Sequence, residues 1–204
     1  MLPTPQLVVM AKAPRLGTVK TRLARGVGAV EATRFYRRTG LDLLRRLGPD
    51  PRCQTLLALA PDRAVHEKGV WPESIMRVAQ GPGDLGARMG RLMRDLPPGP
   101  VVIVGSDIPG IARAHIAQAF RALGRFDAVF GPAHDGGYWL VGLKRRPRVA
   151  EIFGGVRWSS EHALADTIAN VRRAGLSVAM LETLADVDTE EDYARWRGRP
   201  YTNK

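Results

Sequence analysis

Val101-Val102-Ile103-Val104-Gly105-Ser106-Asp107-Ile108-Pro109 decides the fold class. Four consecutive β-branched residues leave no polar side for water, so the segment reads as a strand buried on both faces. Pro97-Pro98-Gly99-Pro100 isolates it from what precedes, and Pro109 opens the next helix. Upstream, Gln6 to Ala11, Thr55 to Ala60 and Ile75 to Ala79 read as further buried strands. Between them lie a helix from about Val27 to Leu47, with Leu41, Leu44 and Leu47 at helical spacing, and one from Asp84 to Leu96. Downstream come a helix over 111–123, strands over 127–130 and 138–143, a helix over 159–174 and a last strand over 177–181. Thr189, with Asp192 three residues on, predicts a capping box at the start of a final helix.

Strands that are apolar throughout and alternate with amphipathic helices predict an α/β fold with a mostly parallel central sheet covered on both faces. No internal repeat or long linker divides the chain, and the Pro-rich connection at 97–100 is too short to separate domains. A single domain over 1–204 is expected. In such sheets ligands bind beyond the carboxyl ends of the strands, so chemistry is sought in the residues that follow each strand.

Composition narrows the function classes. The 204 residues are 45% hydrophobic and 25% charged, which excludes a disordered chain, a disulfide scaffold and a collagen-like repeat. The lone Cys53 has no partner for a disulfide or a thiolate metal site. No apolar run approaches the length of a membrane span, and Met1 to Ala13 lacks the pattern of a signal peptide, so a cytoplasmic protein is expected. Lys and Arg number 31 against 20 Asp and Glu, a formal charge of +11. Residues 1–50 hold ten basic and three acidic residues, a local excess of +7. Such a bias suits nucleic acid, anionic lipid or a phosphorylated small molecule, and the predominance of Arg equally fits a compositional origin.

Five segments carry candidate chemistry. Directly after the first strand, Lys12-Ala13-Pro14-Arg15-Leu16-Gly17-Thr18-Val19-Lys20-Thr21-Arg22 places four cations around one glycine, an anion site suited to a diphosphate. It lacks the glycines of a Walker A loop or a dinucleotide fingerprint. Gln80-Gly81-Pro82-Gly83-Asp84-Leu85-Gly86 lets a flat ligand approach the backbone at a strand-to-helix junction, or is a plain turn with Asp84 as helix cap. Asp107, immediately after the central strand, is placed either to hold a divalent cation or to cap the helix opened by Pro109. His134-Asp135-Gly136-Gly137-Tyr138-Trp139 reads as a tight connection with a polar-aromatic rim typical of ligand pockets. Asp186 and Asp188 project to one side of an extended segment and can share a cation, while Trp158 with Ser159 and Ser160 offers a ring and hydroxyls. Of the four histidines only His134 is a candidate, and no Ser/His/Asp triad or nucleophilic cysteine is seen.

KAPRLGTVKTRLA, QGPGDLGARM, VVIVGSDIPG, FGPAHDGGYWLVGL, VRWSSEHAL and DVDTEEDY follow one another from residue 12 to residue 193. Together they resemble bacterial glycosyltransferase-like proteins of GT-A fold, of the type associated with radical-SAM or selenium-domain proteins. That family is similar to 2-phospho-lactate guanylyltransferase and to the nucleotide-diphospho-sugar transferases. The resemblance implies a three-layer, Rossmann-like sandwich and a metal-dependent transferase with a nucleotide or nucleotide-sugar donor and a small-molecule acceptor. It gives the donor phosphates to Lys12, Lys20 and Arg22, and sets Gly83, Asp84 and Gly86 near the base. Asp107 and Asp188 would hold Mg²⁺ or Mn²⁺, with Asp186 as the fallback. Asp107 and Asp135 are the catalytic candidates, and His134, Gly136, Gly137, Tyr138 and Trp158 would line the acceptor side. Two departures stand out: the usual Asp-X-Asp is reduced to Ser106-Asp107, and the glycine-rich first loop is replaced by a Lys/Arg-rich one. The competing readings are a non-catalytic nucleotide-binding regulator and a basic nucleic-acid-binding module. Against the latter, the sequence carries no nucleic-acid signature and does not interleave aromatics with its basic run.

Overall fold

The computed structural model describes residues 3–198, so both ends of the expected 1–204 unit lie outside the described residues. The strands are β1 (Gln6–Lys12), β2 (Gln54–Ala60), β3 (Met76–Ala79), β4 (Val101–Gly105), β5 (Ala128–Pro132), β6 (Tyr138–Leu143) and β7 (Val178–Met180). The helices are α1 (Thr21–Val27), α2 (Ala29–Leu47), α3 (Leu85–Asp95), α4 (Arg113–Leu123), α5 (Ala163–Arg173) and α6 (Glu190–Arg197). All seven strands join one sheet in the order β3-β2-β1-β4-β6-β5-β7.

Side chains alternate across this sheet with the strand period of two. Leu7, Val9 and Ala11 of β1 enter one apolar layer with Leu57 and Leu59 of β2, Val102 and Val104 of β4, and Leu43, Leu44 and Leu47 of α2. Val8 enters the opposite layer with Leu56, Ala58, Val101 and Ile103, against Met89, Leu92 and Met93 of α3 and Val171 of α5. Three layers result, as expected for strands that are apolar on both faces.

β1 pairs in parallel with β2 on one side and β4 on the other. The chain therefore winds outward in both directions from the β1/β4 boundary, and a crevice opens there at the carboxyl ends of the strands. β6 departs from the parallel pattern, running antiparallel to β4 with Val104 opposite Leu140. The sharp Asp-Gly-Gly connection allows only a hairpin from β5 to β6. Its consequence is functional: the beginning of β6, Tyr138, stands beside the end of β4.

Three helix starts differ from the sequence reading. Gly28, with φ +83°, separates α1 from α2, whereas one helix was expected from Val27. The helix after β4 begins at Arg113, with Ala112 at its cap, so Asp107 is not a cap. The helix expected from Ser159 begins at Ala163, because Ser159 itself adopts a left-handed φ of 59°.

A third, small cluster governs the site. Leu23 of α1, Ala32 and Phe35 of α2, Val187 just before α6 and Tyr193 of α6 are buried together, with Trp196 against them. Phe35 meets Tyr193 and Trp196 edge-on at centroid distances of 5.3 and 4.9 Å. Thr189 and Asp192 form the expected capping box at the start of α6. With Val187 turned into this cluster, its neighbours Asp186 and Asp188 turn out of it.

Candidate functional site

A cavity of about 490 Å³ lies at the β1/β4 crevice, a size that suits a small ligand. The end of β1 contributes Lys12, the end of β4 Ser106 and Asp107, and the junction after β3 Gln80, Gly83, Asp84 and Leu85. Lys20, Tyr36, Arg88, Tyr138 and Ser159 also line it. A second cavity of about 440 Å³, lined by Pro5, Asp50, Cys53 and Phe120 among others, lies near the starts of β1 and β2 and contains none of the expected residues.

Lys20 is the electrostatic centre. Its Nζ lies 2.9 Å from Asp107 Oδ2 and 2.6 Å from Asp188 Oδ1, and only 4% of its side chain is exposed. Burial works against the ammonium, but the two carboxylates outweigh it and raise the Lys20 pKa above its ordinary value. The backbone of Lys20 is left-handed, φ 46° and ψ 47°, at the entry to α1. Such a conformation is costly for a side-chain-bearing residue, and here it coincides with an inward-facing charge. Arg22, largely exposed, stands 3.8 Å from Asp188 Oδ2.

The remaining loop cations are disposed differently. Arg15 is engaged by Glu67 at 2.5 Å, away from the carboxylate pair. Lys12 is exposed at the cavity edge and makes no ion pair among the described residues. Its amide nitrogen donates to the Tyr36 hydroxyl at 2.7 Å, and the buried Ser106 hydroxyl lies 3.0 Å from the same oxygen. Tyr36 thus ties the ends of β1 and β4 together; burial, then Asp107, pushes its pKa up to about 12.

Asp186 is partly buried, and burial, then Asp188 and Asp135, pushes its pKa up to about 6. Asp107 and Asp188 are the acids that converge on Lys20, with which Asp186 forms no ion pair among the described residues. Two carboxylate oxygens from separate elements directed at one cationic nitrogen are a donor set that hard divalent ions accept, with the ammonium as stand-in. Among the described residues no group of three or more His, Cys, Asp or Glu gathers, so the remaining ligands of an ion here would be water or substrate oxygens. The residues fit Mg²⁺ or Mn²⁺ on those terms.

The other expected residues separate into those at the cavity and those behind it. Gly83 lines the cavity, and Asp84 lines it while its side chain caps α3 by accepting from the Ala87 amide at 2.8 Å. Gly86 lies under Trp158: a Cβ there would approach the indole to 2.7 Å. Trp158 also meets Tyr138 at 6.4 Å and Phe153 at 6.3 Å, so it is a packing ring between α3 and β6. Asp135 folds its Oδ1 onto the Gly137 amide at 2.9 Å, and Gly136 has φ +80° with no room for a Cβ against the Glu161 backbone. His134, Asp135, Gly136 and Gly137 form the β5–β6 connection, with only Tyr138 and Trp139 of this segment lining the cavity.

Sequence reasoning missed Tyr36, whose place on the apolar stripe of α2 resembles any core aromatic. It also gave no role to Gln80, whose side-chain nitrogen donates to the carbonyls of Ala11 and Ala58 at 3.0 and 2.9 Å. A glutamine placed directly at the end of a strand was the available signal.

Comparison with curated proteins gives no match. Solved structures do match. A protein from Desulfovibrio desulfuricans G20, provisionally named a nucleotide-diphospho-sugar transferase, is 31% identical over 100% of this chain and 90% of its own, with a TM-score of 0.88. The 4-diphosphocytidyl-2C-methyl-D-erythritol synthase of Anaerococcus prevotii DSM 20548 shares the fold at 13% identity, covering 96% of each chain, with a TM-score of 0.60. Rv0371c of Mycobacterium tuberculosis H37Rv, in complex with manganese, shares it at 18% identity over 96% of this chain and 98% of its own, with a TM-score of 0.53. No helix among the described residues is long and apolar enough to cross a membrane. The fold is thus that of nucleotide-diphospho-sugar transferases and nucleotidyltransferases, and residues 43–160 match the model of a family described as an uncharacterized protein conserved in bacteria, DUF2064, to which this chain belongs.

Proposed function

We propose that this protein is a metal-dependent transferase that takes a nucleotide or nucleotide-sugar as donor and a small molecule as acceptor. One observation carries the reading: Asp107 and Asp188, delivered by β4 and by the approach to α6, meet on a single cation beside a cavity edged by Lys12. Asp107 and Asp188 would hold Mg²⁺ or Mn²⁺, which when bound offsets charge on the donor phosphates. Lys12 and Arg22, exposed beside the pair, attract the diphosphate, and Lys20 supplies a third positive charge. Gly83 and the start of α3 receive the base, with Gly86 acting through Trp158.

Two transfers fit this arrangement. In nucleotidyl transfer an acceptor oxygen attacks the α-phosphorus of a nucleoside triphosphate, and pyrophosphate leaves. In glycosyl transfer an acceptor oxygen attacks the sugar's anomeric carbon, and a nucleoside diphosphate leaves. Asp135, with one oxygen committed to Gly137, is assigned to the acceptor side with Tyr138. Its charge is felt at Asp186, which places the two acids in one neighbourhood. The radical-SAM-associated subtype belongs to the same proposal and adds no residue to it. A nucleic-acid role is not proposed, because Arg15 is engaged by Glu67 and the basic run is not interleaved with aromatics.

The test is a thermal-shift panel of nucleoside triphosphates, diphosphates and nucleotide-sugars, with and without Mn²⁺. A ligand at 100 times its Kd stabilises by about 2.7 kcal/mol. For a chain of this size that is roughly 5–10 °C. A panel without any shift would overturn the reading.

A further inference from the structure

We infer that Lys20 is a built-in competitor of the divalent cation: its ammonium holds the Asp107–Asp188 pair closed until an anionic ligand draws it away. The inference rests on the metal-dependent reading above and deepens it. The nitrogen stands 2.9 and 2.6 Å from one oxygen of each acid. An ammonium seated between these two oxygens occupies the position that an ion bridging them would take. The side chain is nearly fully enclosed, so it cannot simply lean into solvent while an ion enters. Its departure needs another anionic partner, and a buried charge stripped of its partners is costly.

The backbone supports the same assignment. Lys20 is one of three non-glycine residues with positive φ among the described residues. A glycine would occupy that left-handed position without steric cost. The sequence instead places there a long cationic side chain aimed inward, between two acids. Neighbouring cations do not duplicate it: Arg22 is 3.8 Å from Asp188 and exposed, and Arg15 belongs to Glu67.

The consequence is coupling between two ligands. Without a diphosphate, the ion meets a site in which Lys20 is already seated, and its apparent affinity falls by the fraction of molecules in which the pair is free. With a diphosphate, the ammonium gains a phosphate oxygen as partner and the pair is released. Metal and phosphate then favour one another through Lys20, in addition to any direct contact between them.

The experiment titrates Mn²⁺ alone, followed by electron paramagnetic resonance of the free ion, against the parent, Asp188→Asn, Lys20→Met, Lys20→Gly and Lys20→Met/Asp188→Asn. Lys20→Gly also relieves the left-handed backbone and guards against a folding failure of Lys20→Met. If the pair is closed in nine molecules of ten, removing the ammonium raises Mn²⁺ affinity about tenfold. That gain should vanish in the double variant. Affinity unchanged or weakened in both single variants, with Asp188→Asn still weakening the parent, would overturn the competition and leave the metal site standing. A gain that survives Asp188→Asn overturns it too, since the ion would then bind elsewhere. If neither the parent nor any variant binds Mn²⁺, the metal-dependent reading falls and the competition with it.

Discussion

Removing one oxygen atom, by Tyr36→Phe, should loosen the site without disturbing the core. The Tyr36 ring packs edge-on against Trp71 at a centroid distance of 6.4 Å, and phenylalanine keeps that contact. What is lost is the hydroxyl that accepts the Lys12 amide at 2.7 Å and pairs with Ser106 Oγ at 3.0 Å. Each hydrogen bond is worth about 1 kcal/mol net, and a buried polar group left unpaired costs about 1–3 kcal/mol. Ser106 is 2% exposed, so water does not readily replace its partner. We expect a loss of about 2 kcal/mol. That corresponds to roughly 4–8 °C in Tm by scanning calorimetry of the ligand-free protein. The effect should be shared with Ser106→Ala: the double variant should fall short of the sum of the singles by at least about 0.5 kcal/mol. Because Lys12 and Asp107 flank these atoms, Mn²⁺-dependent nucleotide binding should weaken as well. A Tm within about 1 °C of the parent, with additive singles, would refute the claim that Tyr36 ties β1 to β4.

Asp186→Asn should change the pH dependence of stability, measured with chelator present. The folded state holds the Asp186 proton up to about pH 6 against an ordinary value of 3.8, so its contribution is complete below pH 4 and is lost as pH rises through 6. The variant should therefore gain on the parent above pH 6 and show no gain below pH 4; a pH-independent difference would contradict this. Gly86→Ala should cost roughly 1–3 kcal/mol by driving a Cβ against Trp158, and a neutral Tm would show that Trp158 does not pack there. Thr189→Ala should destabilise by about 0.5–2 kcal/mol through loss of the α6 cap, read by thermal unfolding, and an unchanged Tm would deny the cap that role. Random DNA should bind weakly; a log–log salt slope equivalent to roughly six or more phosphate contacts would favour the nucleic-acid reading.

Much of this architecture was legible because local patterns and global fold agree. Val101 to Val104 could only be interior, and alternation around it led to a mostly parallel sheet. The antiparallel β6 was hidden, since an apolar strand looks alike in either direction and only the tightness of Asp135-Gly136-Gly137 hinted at a hairpin. Asp107 and Asp188 could be singled out by their positions after strands, but not their meeting on Lys20. That contact depends on α6 docking through Tyr193 and Trp196 onto Phe35, with Val187 before it buried in the same cluster, a tertiary event with no periodic signature. The capping role open to Asp107 fell because the turn after β4 runs on to Ala112 before a helix begins. Lys20 was read as one phosphate cation among four. Its left-handed backbone and its burial set it apart, and neither is visible in a run of basic residues.

We propose that Asp107 and Asp188 together hold the cation that accompanies a nucleotide diphosphate. Isothermal titration of the best nucleotide from the thermal-shift panel, with and without Mn²⁺, tests it on Asp107→Asn and Asp188→Asn. The parent should bind more tightly with Mn²⁺, and either substitution, in a folded protein, should remove that difference. An Mn²⁺-dependent gain in affinity that persists undiminished in both folded variants would contradict it.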